Sequence, residues 1–231
     1  MHSSNSEIGC TLIVAAAGIG KRMGLSFPKQ FLKHRGKPLF VNVLEVGEKS
    51  SLVKDIIIVT KDDYIKKVSE LCKLHNFKKI KKIVKGGKER QESIYNALKY
   101  CSRNSIIAVQ DGVRPFFKEE YLEKTIGELK NNDNLFGAII GMPVKDTIKE
   151  VNEDKLIEKT PDRSTLYLAQ TPQVFRGEAL INSYEKALND GFLGTDDSSL
   201  VEKYYGKVKM VEGDYFNIKV TTKEDLKFLK L

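Results

Sequence analysis

The sequence predicts an α/β fold, a largely parallel twisted sheet with helices on both faces, and three observations carry that prediction. Short apolar runs recur at residues 11–15, 53–60, 80–84, 105–110 and 136–142, and the Ile56-Ile57-Ile58-Val59 core of the second has the unbroken β-branched character of a buried strand. Stretches of helical length separate these runs, so strand and helix alternate at the spacing of βαβ units. Glycine pairs and turn residues, Gly86-Gly87 and Asp111-Gly112 among them, stand where the runs end. At 231 residues the chain is within the range of a single α/β unit, and one domain over residues 1–231 is expected.

Thr11-Leu12-Ile13-Val14-Ala15 reads as the first strand, opening into small residues and two glycines. Pro38, with its φ preset for a first helical turn, opens a helix to about residue 49. After the strand at 53–60, Asp62 and Asp63 offer N-cap oxygens to a helix through about residue 74. The strand at 80–84 ends on the flexible run Gly86-Gly87-Lys88-Glu89-Arg90, and a helix at 91–100 leads to the strand at 105–110. Another helix, 118–130, precedes the strand at 136–142. The alternation then breaks. Residues 145–150 and 155–160 read as a hairpin around Val151-Asn152-Glu153-Asp154, within an arm of about 143–170, and such a projection points to a partner subunit. A helix over 175–190 ends at Gly191, Thr195-Asp196-Asp197 can cap a further helix carrying Leu200, Val201 and Tyr204, residues 207–212 read as a strand, and 222–231 as a last helix.

Ligands of open parallel sheets lie beyond the carboxyl ends of the strands, which selects the loops at 15–29, 86–90 and 111–115. In the first, Gly18 and Gly20 let backbone N–H groups approach an anion, while Lys21, Arg22 and Lys29 supply positive charge. The same letters also fit an ordinary turn with solvated cations. A Walker P-loop is excluded, because Ala15 stands where its first glycine belongs and Arg22 follows Lys21. The dinucleotide fingerprint fails at Met23, with Pro28 close behind, which disfavours a nicotinamide-dependent oxidoreductase.

The net charge of +8 owes much to Lys78, Lys79, Lys81, Lys82, Lys85, Lys88 and Arg90, a run that reads as a solvated surface or as a footprint for nucleic acid or an anionic substrate. Cys10, Cys72 and Cys101 are widely spaced and lack any zinc pattern, as expected of reduced, mostly buried thiols in a cytoplasmic protein. No apolar run approaches the roughly 20 residues needed to span a bilayer, and the polar N-terminus lacks the features of a secretion signal. With His2, His34 and His75 as the only histidines, nucleophilic catalysis has little support. Asp111 and Asp196 are better placed to hydrogen-bond a hydroxylated substrate or to offer oxygen to Mg²⁺, although Asp111 before Gly112 also suits a plain turn. Cations and glycines at strand ends, with a few carboxylates, meet the demands of phosphoryl or nucleotidyl transfer.

Ordered signatures then become specific. Ala16-Ala17-Gly18-Ile19-Gly20-Lys21-Arg22-Met23-Gly24 with Pro28-Lys29-Gln30, Gly86-Gly87-Lys88-Glu89-Arg90-Gln91-Glu92-Ser93, Asp111-Gly112-Val113-Arg114-Pro115, Asp146-Thr147, Thr160-Pro161-Asp162-Arg163, Gln170-Thr171-Pro172-Gln173, Thr195-Asp196-Asp197 and Asn217-Ile218-Lys219-Val220-Thr221 resemble the 2-C-methyl-D-erythritol 4-phosphate cytidylyltransferase family, from about residue 10 to the C-terminus. The resemblance implies a Rossmann-like nucleotidyltransferase fold and an enzyme that joins CTP to methylerythritol phosphate, releasing pyrophosphate. It implies Arg22, Lys29 and Lys219 as catalytic cations, and Ala16, Ala17, Gly18, Gly20, Gly86, Gly87, Ser93 and Asp111 around CTP. It further implies Asp111, Arg114, Thr171 and Thr195 near the sugar phosphate, with Thr147 and Arg163 reaching it from the arm of a second subunit in a homodimer. Mg²⁺ is expected as the divalent cofactor, held mainly by CTP phosphates rather than by a protein cluster.

Gln110, Gly112-Val113 and Lys88 depart from the family's frequent His, Ala-Ala and Asp. The closest rival reading is ribitol-5-phosphate cytidylyltransferase, which shares the glycine loop and endings such as Asn217-Ile218-Lys219; Thr160-Pro161-Asp162-Arg163 and Thr195-Asp196-Asp197 favour the methylerythritol enzyme. A noncatalytic nucleic-acid binder would rest on the basic run alone. Neither nucleic acid nor membrane is expected as a partner.

Overall fold

The computed structural model describes residues 9–18, 20 and 27–230. Seven strands form one sheet, in the order β11 (Val208–Glu212), β7 (Gly137–Pro143), β10 (Tyr167–Arg176), β6 (Ile106–Asp111), β1 (Cys10–Ala16), β4 (Val53–Thr60) and β5 (Ile80–Lys85). In chain order its first members are β1, β4, β5, β6 and β7. β1 runs parallel to both β4 and β6, and β4 parallel to β5. Side chains on a strand alternate between faces, and here both faces are buried. Leu12, Val14, Ile56, Ile58 and Ala108 enter one core, whereas Ile13, Ile57, Val59, Ile107 and Val109 enter the other. That is why the runs are apolar throughout rather than alternating.

Helices α1 (Leu39–Lys49), α2 (Ile65–Leu74) and α4 (Glu119–Asn131) cover the first core, and α3 (Arg90–Leu98), α5 (Gly177–Asn189) and α6 (Asp197–Tyr204) the second. The predicted two-sided arrangement is therefore present. α6 begins where expected: the Asp196 carboxylate accepts the Ser199 N–H at 2.9 Å while Ser199 Oγ accepts the Asp196 N–H at 3.3 Å, a reciprocal cap. Asp62 and Asp63 cap nothing by side chain. They lie in a 3-10 turn (Asp62–Tyr64) ahead of α2, and Asp62 instead meets Lys85 at 2.7 Å. The last segment is likewise a 3-10 helix, Glu224–Lys230.

Two elements escape the sequence reading. β10 (Tyr167–Arg176) lies between β6 and β7 and is antiparallel to both, and it takes in Phe175, which was expected to open a helix that in fact starts at Gly177. Its middle, Gln170-Thr171-Pro172-Gln173, is polar and contains a residue unable to donate to a ladder. The register against β7 shifts between Ala169 and Gln173, which accommodates that break. The second is a tight hairpin of β2 (Lys33–His34) and β3 (Lys37–Pro38), turned by Arg35 at φ 50° and Gly36 at φ 77°. Positive φ at both central residues makes the primed turn that hairpins favour. β11 (Val208–Glu212) completes the sheet, parallel to β7.

The arm hairpin is present but shorter than expected. β8 (Glu150–Val151) pairs with β9 (Ile157–Lys159), so Val151 belongs to a strand and the turn is displaced toward Leu156, whose N–H the Asn152 carbonyl side chain accepts at 2.9 Å. Val151, Leu156 and Ile157 are all at least half exposed.

The basic run divides. Lys78 and Lys82 are exposed, but Lys79 reaches the end of α1, donating to the Ser50 carbonyl at 2.5 Å and to the Gly47 carbonyl at 3.4 Å. We expect Lys78→Gln and Lys82→Gln each to change stability by about 0.5 kcal/mol or less, and Lys79→Gln to cost about 1 kcal/mol through its lost charge-assisted bonds. Urea denaturation checks the difference; equal midpoints for all three would refute it. Arg90, which the sequence reading grouped with this run, is only partly exposed and turns its guanidinium toward two buried carboxylates.

Candidate active site

The chain moves from β1 outward through β4 to β5, then returns to place β6 on the opposite side of β1. A crevice opens at such a switch point beyond the carboxyl ends of the strands. Here it is a cavity of about 510 Å³ between the loops that follow β1, β5 and β6.

The loop after β1 forms one wall with Ala16, Ala17, Gly18 and Gly20. Gln30 donates its side-chain amide to the Ala16 carbonyl, tying that loop to the 3-10 turn Lys29–Phe31. Gly20 has φ +72°, a conformation that L side chains rarely adopt, and the Lys29 side chain packs 3.2 Å from where a Cβ would stand. Lys29 is only 9% exposed and lines the cavity. Arg22 lies outside the described residues.

The opposite wall is the loop between β5 and α3. Ser93 Oγ accepts the Gly87 N–H at 3.0 Å and donates to the Glu89 carbonyl at 2.9 Å, which curls the loop over the start of α3. Gly86 sits beneath, its N–H bonded to the Thr60 carbonyl at 2.7 Å. A Cβ there would stand 2.6 Å from Ala17 Cβ and 3.1 Å from Ser93 Oγ, so the two walls approach as closely as a glycine permits. Gly86→Ala is expected to force them apart and raise KM for the nucleotide that the resemblance implies about tenfold, with a smaller change in kcat. Unchanged KM in initial-rate kinetics would remove this loop from nucleotide binding. Lys88 lines the same wall, exposed, with its N–H donated to the Glu92 carboxylate at 2.7 Å.

Asp111 ends β6 at the floor of the crevice. Lys219 Nζ lies 2.9 Å and Arg114 Nε 3.5 Å from its Oδ2, and Arg90 Nε lies 3.8 Å from its Oδ1. Burial alone would push this carboxyl up, but the charges of Lys219, Arg90 and Arg114 outweigh it and hold the group well below the usual carboxylate range. Asp111 is thus an anion throughout the working pH range. Its N–H is taken by Thr171 Oγ1 at 3.1 Å. Arg114 donates to the Asn217 carbonyl at 2.5 Å, and the Asn217 side chain donates to the Thr171 carbonyl at 2.9 Å and the Gln170 side chain at 3.0 Å. This closed set of bonds fixes the chain two residues before Lys219.

Of the residues expected near a sugar phosphate, Asp111 is on the cavity wall, while Arg114 and Thr171 stand directly behind it. Thr195 is exposed at the start of the α6 cap, and Thr147 and Arg163 are exposed on the arm, where Arg163 donates to the Lys145 carbonyl at 3.0 Å. Asp196 is committed to its helix cap and to the Gln173 amide at 2.7 Å.

Arg90 and Asp197 are the residues that sequence reasoning missed. Arg90 lines the cavity, and its guanidinium grips the wholly buried Asp197 with bonds of 3.0 and 2.6 Å. A signal was present, because an arginine at the first position of a helix opposes the helix dipole and needs a carboxylate partner. Three cations and two carboxylates leave this floor with one net positive charge, suited to an anionic ligand.

Among the described residues no three His, Cys, Asp or Glu side chains gather in a way that could hold a metal ion. Asp111 and Glu89 are the carboxylates among the described lining residues, and Asp111 is already paired with cations. This donor set fits a divalent ion that arrives with most of its oxygen ligands on a polyphosphate.

Comparison with known proteins identifies the family. The family model IspD, described as 2-C-methyl-D-erythritol 4-phosphate cytidylyltransferase, matches residues 10–230. A protein of that name from Fusobacterium nucleatum subsp. nucleatum is 48% identical over 100% of both chains, and one from Geobacter metallireducens is 44% identical over 93% of each. The solved structure of 4-diphosphocytidyl-2C-methyl-D-erythritol synthase from Anaerococcus prevotii superposes with a TM-score of 0.84 at 33% identity, covering 98% of this chain and 97% of that one. With a match over nearly the whole length and a nucleotide-sized crevice at its switch point, this chain belongs to the 2-C-methyl-D-erythritol 4-phosphate cytidylyltransferase family.

Proposed function

We propose that the crevice between β1 and β6 is the transfer site of this enzyme, with Lys29 and Lys219 as its charge-stabilising groups. The chain is a nucleotidyltransferase that joins CTP and 2-C-methyl-D-erythritol 4-phosphate into 4-diphosphocytidyl-2-C-methyl-D-erythritol and pyrophosphate. A phosphate oxygen of the sugar attacks the α-phosphorus of CTP as the bond to the bridging oxygen of the β-phosphate breaks. Negative charge grows on the oxygens around the α-phosphorus and on the departing pyrophosphate. The observation that carries the reading is that Lys29 and Lys219, far apart in the chain, line one cavity with Asp111.

In this account Lys29 and Arg22 neutralise the triphosphate from the β1 loop, where the backbone of Ala16, Ala17, Gly18 and Gly20 also meets it. Lys219 acts from the opposite side, oriented by Asp111. Gly86, Gly87 and Ser93 hold the cytidine. Mg²⁺ bound to the triphosphate would add charge neutralisation there, and Asp111 is the buried carboxylate of the lining that could offer it an oxygen. Comparing methylerythritol phosphate with ribitol 5-phosphate, each with CTP and Mg²⁺, tests the substrate: pyrophosphate release with the first and little with the second is expected, and the reverse would favour the rival.

The arm extends the site across a homodimer. Its exposed apolar residues Val151, Leu156 and Ile157 support a docking role, and Thr147 and Arg163 offer a hydroxyl and a planar fork suited to a phosphate monoester. Mixing Arg163→Ala with an excess of Lys29→Ala under exchange conditions should therefore restore a fraction of activity in heterodimers. A mixture as inactive as its parents would show that each site is built from one chain. Among the described residues no helix is long and apolar enough to cross a membrane, and catalysis by a protein in the cytoplasm fits that observation.

A further inference from the structure

Arg90 holds together three parts of the crevice that arrive from distant stretches of sequence. Its backbone begins α3 and ends the Gly86-Gly87 loop, its forked end grips Asp197 at the start of α6, and its Nε faces Asp111 Oδ1 at 3.8 Å. Asp197 also accepts the Tyr184 hydroxyl, so the fork closes on a carboxylate fixed from a second helix, α5. The two oxygens of Asp111 are divided, Oδ1 toward Arg90 and Oδ2 toward Lys219 and Arg114. Arg90 is the described cation that faces Oδ1, so its loss removes one of the three charges that orient the carboxylate and leaves Oδ2, with the Lys219 ammonium on it, less firmly placed. A compact ammonium could not replace this geometry, because one point charge cannot fork onto Asp197 and also lie beside Asp111.

We propose that Arg90 is a positioning residue of the transfer reaction: it orients the carboxylate of Asp111, and through it the ammonium of Lys219. This rests on the crevice being the transfer site. It assigns Arg90 no contact with the reacting atoms. Because the Gly86-Gly87 loop is held by its own bonds to Ser93 and to the Thr60 carbonyl, losing the Arg90 side chain should act on kcat more than on KM.

The test separates this role from simple support of the fold. Arg90→Gln alone leaves the buried Asp197 charge without its partner, so it is paired with Asp197→Asn, which makes the buried contact neutral and hydrogen-bonded. The double variant should keep a cooperative thermal transition, lose kcat on the order of ten- to a hundredfold as expected for a misplaced catalytic group, and change KM for CTP less than about threefold. Adding both substitutions to Asp111→Asn should lower kcat by no more than about threefold further, because effects that run through one residue are not additive. Arg90→Lys, which keeps a cation for Asp197, provides a folded alternative and should also lose about tenfold in kcat. Turnover within threefold of wild type in the double variant or in Arg90→Lys would overturn the proposal, as would a full multiplicative loss on the Asp111→Asn background. If Asp111→Asn itself turned over at the wild-type rate, the assignment of the crevice would fall first, and the role of Arg90 with it.

Discussion

Lys29→Ala should lower turnover about a hundredfold at saturating CTP, a loss of on the order of 3 kcal/mol in transition-state stabilisation. The lysine is nearly buried against Gly20 on a wall of small residues and glycines, so its charge acts in a medium that screens it poorly. Ground-state CTP already carries much of the charge that the lysine meets, so KM should rise too, but by less than kcat falls. Steady-state kinetics of pyrophosphate release with both substrates saturating measure this. A kcat within threefold of wild type would show that Lys29 is not a catalytic group.

The second large effect is on stability. Asp197→Ala is expected to cost about 3 kcal/mol, because it leaves the partly buried Arg90 guanidinium without its fork partner and removes a wholly buried side chain. Burial alone would pull that guanidinium toward its neutral form, but the charges of Asp197 and Asp111 reverse this and keep it firmly protonated. The Tyr184 hydroxyl, whose own pKa is held well above normal by burial and by Asp197, loses its acceptor in the same variant. For a protein of this size the loss corresponds to a fall in Tm on the order of 10 °C. Calorimetry showing a fall of less than 2 °C would mean that the pair adds nothing net to the fold. Asp197→Asn should be milder, since an amide still accepts from Arg90 and Tyr184.

The parallel half of the sheet is legible in the sequence because Leu12 to Val14, Ile56 to Val59 and Ile107 to Val109 are buried on both faces and cannot afford polar alternation. β10 is not legible for the opposite reason. Gln170, Thr171 and Gln173 face polar partners around Asp111, Asp196 and Asn217, and the demands of the site replace strand-forming residues there. Composition also cannot tell which cation of a basic run turns inward. Lys78 and Lys82 stay outside, whereas Arg90 leaves the same run for two buried carboxylates. The pairing of Lys219 with Asp111 is likewise invisible to spacing and periodicity, and only the resemblance to a family brought those residues to one site before the fold was known. Burial has the same selectivity for the thiols: it pushes Cys10 up to about 12 and Cys72 to about 11, which makes both inert packing groups.

The central claim is that Lys29 and Lys219 flank one triphosphate in the crevice between β1 and β6. A crystal structure of the enzyme with CTP and a divalent cation tests it directly. The account predicts the triphosphate along the backbone of Ala16 to Gly20, both lysine ammonium groups on its oxygens, and the cytosine beneath the Gly86-Gly87 loop. Nucleotide bound anywhere outside that crevice, or bound within it with Lys219 turned away from the phosphates, would contradict the account.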